Sequence, residues 1–161
     1  MKRMALIAAA LFAGCIAVAS AQNAKGFNNV VDFGLNVAQI DTLVANQQEK
    51  ELNTDKFLIL NGAVSSIEII RPGEKDFLAV GDLVAGQWIG LKKVNLYRVY
   101  VIFSGPEFFR RIPAREPNPV PPGTIGTNDQ IIVVGKIAGV DDGLDGRRAA
   151  YVNALYVRTL P

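Results

Sequence analysis

A mainly β fold is expected for this 161-residue chain, built on five strands with a helix-bearing connection between the third and the fourth. Two observations carry that expectation. From Phe57 onward, five apolar, β-branched stretches are separated by turn signals, the pattern of half-buried strands punctuated by reversals. Between the third and fourth stretches lies SGPEFFRRIPAREPNPVPPGTIGTND, in which EFFRRI can form a short helix before Pro117, Pro119, Pro121 and Pro122 force the backbone to be extended.

Ahead of the strands, Lys2 and Arg3 precede an apolar run from Met4 to Ala19 that ends in Ala19-Ser20-Ala21. A short basic start, an apolar centre and a small-residue end predict an export leader, residues 1–21, and a mature chain from Gln22 in the periplasm. The run falls short of the roughly 20 residues that cross a bilayer. Phe12-Ala13-Gly14-Cys15 resembles a lipobox and offers an alternative, a lipoprotein anchored to the membrane at Cys15. Phe12 stands where Leu is usual, and Ile16 and Val18 follow where a polar tether is expected.

Residues 22–56 are rich in Asn, Gln and Lys and read as an N-terminal arm or linker, or as the first element of one larger fold. Val31, Phe33, Leu35 and Val37 alternate like a strand, whereas Ile40, Leu43 and Val44 followed by ANQQEKEL suggest a short, mostly solvated helix. The predicted strands then run in order: FLILNGAVSSIEII (57–70), interrupted by Gly62; DFLAVGDLVAG (76–86), after a turn at Pro72-Gly73; NLYRVYVIF (95–103); QIIVVGKIAGV (130–140); and RAAYVNALYVRTL (148–160). Tyr97, Val99, Val101 and Phe103 should share one face of the third strand, and Ala149, Tyr151, Asn153, Leu155 and Val157 one face of the fifth.

This plan resembles the OB-fold, a small, partly open five-stranded Greek-key barrel. Gly62 in the long first strand and Gly135 in the fourth look like the glycines that let such strands coil sharply. The resemblance covers residues 57–161. Among its members, small exported envelope proteins are the most similar group, and that likeness implies a non-catalytic protein that binds another envelope protein or polymer through its barrel or Pro-rich loop.

The chain has 17 basic and 15 acidic residues, and Lys2 and Arg3 account for the whole formal charge of +2. A chain from Gln22 is therefore neutral, lacks a broad positive field, and is not expected to bind nucleic acid. There is no histidine, and Cys15 is the single cysteine. His-dependent triads, thiolate nucleophiles and zinc sites are excluded for the exported form, so no enzyme activity, metal or cofactor is expected.

Four groups remain as candidate sites. Asp141, Asp142 and Asp145 in DDGLDG suggest a calcium loop, but Gly143 occupies a ligand position and Val152 stands where a bidentate Glu is required, so a plain hairpin turn is expected. Tyr97, Arg98, Tyr100, Phe108, Phe109, Arg110, Arg111 and Arg115 form an aromatic and basic group with two readings. Either it is a ligand-binding patch, or Phe108 and Phe109 plug one end of the barrel while the arginines are solvated or paired with Glu107 and Glu116. Trp88, in AGQWIG, is either an exposed binding platform or a core residue whose N–H reaches a carbonyl, and burial is expected. Glu68, Asp76, Asp82 and Glu107 could supply a pair of carboxyls, but nothing in their spacing selects one. Beside the envelope-binding function stand two alternatives: an OB module for an anionic glycan or oligonucleotide, and a carboxylate-dependent hydrolase.

Overall fold

The computed structural model describes residues 24–161 apart from 53, 91, 92 and 116, without the side chains of 24 and 25. The expected leader and Cys15 lie outside these residues. The elements are α1 (Ala24–Val30), β1 (Val31–Asp32), α2 (Val37–Ala45), a 3-10 turn (Glu49–Glu51), β2 (Phe57–Arg71), β3 (Leu78–Ile89), β4 (Lys93–Ser104), α3 (Pro106–Phe109), β5 (Gln130–Asp142) and β6 (Arg148–Thr159).

The five long strands close on themselves in the order β2-β3-β4-β6-β5-β2, with β4 and β6 parallel over Tyr100–Ile102 and 151–153 and the other pairs antiparallel. This is the OB-fold, with α3 in the connection between the third and fourth barrel strands. Strand β2 serves both halves of the wall. Its residues 58–63 pair with β5 and 63–71 with β3, so Ala63 faces Gln130 on one side and Val84 on the other. That change of partner needs Gly62, where a Cβ would come within 2.6 Å of the Val84 carbonyl oxygen. At Gly135 a Cβ would run into the carbonyl of Asn153, and there the β5–β6 register slips by a bulge. The slip moves Val157 to the inside of β6, while Ala149, Tyr151 and Asn153 stay outside. One uniform face along that strand is therefore corrected.

Tyr97, Val99, Val101 and Phe103 do share the inner face of β4, and the last three are fully buried. Helix α2 closes one end of the barrel. Asn36 caps it reciprocally with Gln39, each side chain accepting the other's backbone N–H, and Val37, Ile40 and Val44 enter the main core. The expected strand over 31–37 shrinks to Val31–Asp32 because this cap starts a helix. At the other end Phe108 packs on Phe103, with ring centroids 5.4 Å apart, and Ile112 and Ile125 complete the seal.

Candidate functional site

On an OB barrel, the outer face of the second and third strands and the adjoining loops are the usual place for an oligonucleotide or oligosaccharide. Here that face belongs to β3 and β4, whose outward residues pair as Val80–Ile102, Asp82–Tyr100, Val84–Arg98, Gly86–Leu96 and Trp88–Val94.

The middle of the face is covered by the chain itself. The β5–β6 turn folds down so that Gly143 lies on the Tyr100 ring, leaving no room for a Cβ. Asp145 accepts a hydrogen bond from Arg98 Nη1 at 2.5 Å and stands 3.5 Å from the Tyr100 hydroxyl. Tyr100 in turn stacks on Tyr151, with centroids 5.2 Å apart. Asp82, only 7% exposed, lies under this lid with its Oδ2 3.9 Å from Arg98 and its Oδ1 without a hydrogen-bond partner among the described residues. Burial pushes the Asp82 carboxyl above the usual aspartate range, against the pull of Arg98 and with the push of Asp145. Asp145 is shifted the other way, chiefly by the backbone N–H of Arg147 that it accepts. The DDGLDG segment thus divides. Asp141 and Asp142 extend β5 opposite Ala149 and Arg148, and Asp145 is spent on Arg98.

The far end of the same face is open. Trp88 is 71% exposed and Leu96 65%, with Val94 also exposed between them. The expectation that Trp88 is buried is corrected. The hairpin runs beyond the part of the barrel that has a core behind it, and Gly90, at φ +62°, begins its reversal. Gly86 has no side chain to hold Val94 and Leu96 off; a Cβ there would touch both. The result is an apolar strip ending in an indole, edged by exposed Lys93. Between Asp82 and Glu107 the only charged residues are Lys92, Lys93 and Arg98. That run of cations without a carboxylate is a signal that the sequence held.

The eight aromatic and basic residues singled out in the sequence are not gathered on one surface. Tyr97 faces inward and packs on the core under α2, while Arg98 and Tyr100 lie under the turn. Phe108 is buried and Phe109 sits edge-on to Phe77, with centroids 5.8 Å apart. Arg110 pairs with Glu74, Arg111 donates to the carbonyls of Gly123 and Val157 at 2.8 Å, and Arg115 is exposed. Of the four carboxylates weighed as acid/base groups, Glu68, Asp76 and Glu107 are exposed, and the acid whose charge Asp82 feels is Asp145.

No protein-family model matches the chain, and no curated protein matches it. Among solved structures it is similar to the Plasmodium falciparum SSB in complex with ssDNA, at 12% identity and a TM-score of 0.43, over 65% of this chain and 94% of that one. It is also similar to a small single-stranded DNA-binding protein from Streptomyces coelicolor, at 14% identity and a TM-score of 0.37, over 65% and 93%. Both are named for single-stranded DNA and neither for an envelope partner, and neither comparison supports a leader or a lipidated Cys15. The expectation of an envelope-protein or polymer binder for which nucleic acid is an improbable partner is corrected accordingly. Its physical weakness is on the hairpin: a neutral total averages away a local cationic run beside an exposed indole, and stacking on such a ring needs no net charge on the whole molecule.

Proposed function

We propose that this chain is a binding module for single-stranded oligonucleotides, with the open end of the β3–β4 face as its contact surface. The observation that carries the reading is the exposure of Trp88, 71%, on the side of an OB barrel where such ligands are held. A base stacks on an exposed indole whatever its sequence, Val94 and Leu96 extend the apolar platform, and exposed Lys93 supplies charge to a flanking phosphate. The module acts by binding and not by catalysis.

Trp88 is the single tryptophan, so fluorescence excited selectively at tryptophan, beyond the absorption of the four tyrosines, reports on this residue. Titration with oligo-dT at low salt is expected to quench it. Trp88→Ala, followed by fluorescence anisotropy of a labelled oligonucleotide, should weaken binding about tenfold or more, the loss of one stacked base at roughly 1–3 kcal/mol. If oligo-dT neither quenches Trp88 nor binds by anisotropy, the reading fails. Quenching by a sulfated oligosaccharide but not by oligo-dT would assign the platform to an anionic glycan instead.

A further inference from the structure

The barrel wall opposite the hairpin carries a second outward block on β2, β5 and β6. Register places Phe57 beside Lys136, and Ile59, Val134 and Tyr156 in one row across the three strands, with Arg158 two residues beyond Tyr156 on the same face. Tyr156 is 58% exposed and Ile59 45%. Lys136 Nζ lies 4.6 Å above the centre of the Phe57 ring, which holds the ammonium over the sheet. Lys136 and Arg158 are the only charged residues in segments 57–61, 130–138 and 153–160. Tyr156 therefore has a cation diagonally across on β5 and another along its own strand, with no carboxylate within these three strand segments.

We infer that this block is a second contact for single-stranded nucleic acid: a base stacks on Tyr156 while its flanking phosphates meet Lys136 and Arg158. Charge complementarity selects the occupant. An apolar protein surface would leave both cations unpaired, whereas a polyanion with a flat ring between charges satisfies the ring and the cations together. The inference rests on the oligonucleotide reading and extends it: a strand held at the Trp88 hairpin is long enough to continue round the barrel only beyond a certain length.

Length is therefore the test. Oligo-dT of about 8 nucleotides, within the span one such barrel covers, and of about 30 nucleotides are compared by anisotropy on the full chain and on Tyr156→Ser/Lys136→Gln/Arg158→Gln. Affinity for the longer strand is expected to fall about tenfold, and its log–log salt slope to flatten by about 1.4, the loss of two phosphate contacts. Affinity for the short strand should not change. A photocrosslink from 5-bromodeoxyuridine in the longer strand to Tyr156 of the unaltered protein gives the same answer without mutation. Equal binding of the long strand by variant and parent, with no crosslink at Tyr156, would overturn the second contact while leaving the hairpin reading intact. An equal loss for both lengths would make the block part of a single primary site and also overturn it. If the parent binds neither length, the oligonucleotide reading itself has failed.

Discussion

Asp82 has the least favourable surroundings of any carboxylate on the β3–β4 face. It is buried, its Oδ1 has no hydrogen-bond partner among the described residues, and the nearest cation, Arg98, is 3.9 Å away and better engaged with Asp145. Because burial raises its pKa, the folded state binds the proton more tightly than the unfolded chain does. Its contribution is most favourable below the ordinary aspartate value and is lost as the pH rises through the raised one, so at neutral pH the charged form works against folding. Asp82→Asn should stabilise the protein by about 1 kcal/mol near pH 7, the scale of relieving one buried, poorly paired group, and the gain should vanish near pH 3, where the parent carboxyl is already protonated. Urea unfolding of both proteins at the two pH values measures this. An Asn variant less stable than the parent at neutral pH would mean that Arg98 compensates the charge fully. Asp145 and Glu49 have the opposite sign: their depressed pKa values lend stability above the ordinary carboxylate range that is lost as the pH falls through them.

At the scale of strands, Gly62 and Gly135 are the points where the sequence made closure visible. Both interrupt otherwise β-branched runs, and both prove to be places where a neighbouring backbone comes too close for any side chain. Substituting Val at either should destabilise the protein by about 2 kcal/mol or more, since the clash is with a carbonyl rather than with a movable side chain. Denaturant midpoints at or above the parent's for both variants would show that the wall can open there at no cost. The five strands were legible because alternation and turn residues are local properties of the chain, and each expected strand is found within three residues of its predicted ends. The site was less so. Whether Trp88 is buried depends on whether a core lies behind the hairpin at that height, and that follows from where β2 changes partner, a non-local fact. The outward row Ile59–Val134–Tyr156 was hidden for a related reason: the bulge opposite Gly135 resets which residues of β6 face out.

On the scale of the molecule, the question is whether residues before Phe57 share the barrel's stability. Two kinds of contact join them to it. Ion pairs link Glu49 to Arg148 at 2.6 Å and Asp41 to Arg147 at 3.5 Å, each between a half-buried acid and an exposed arginine that water screens, so that their contribution is small. Apolar contacts put Val37, Ile40 and Val44 in the same core as Leu58, Val99 and Val152. If the apolar contacts dominate, Ile40→Ala, at a position with no exposure, should cost about 3 kcal/mol and move the unfolding of the whole protein, β-sheet signal included. Glu49→Gln should leave the midpoint nearly where it was. The decisive measurement is far-UV circular dichroism followed in urea alongside the fluorescence of Trp88, which reports the hairpin: coincident transitions that shift together in Ile40→Ala mark one cooperative unit. If α2 were only an appendage, Ile40→Ala would create an early, separate loss of helix signal and leave the fluorescence transition unmoved. Because α2 stands at the barrel end beside the inner face of the hairpin, where Tyr97 packs beneath it, the cooperative outcome would also make α2 the support that holds Trp88 in place for its ligand.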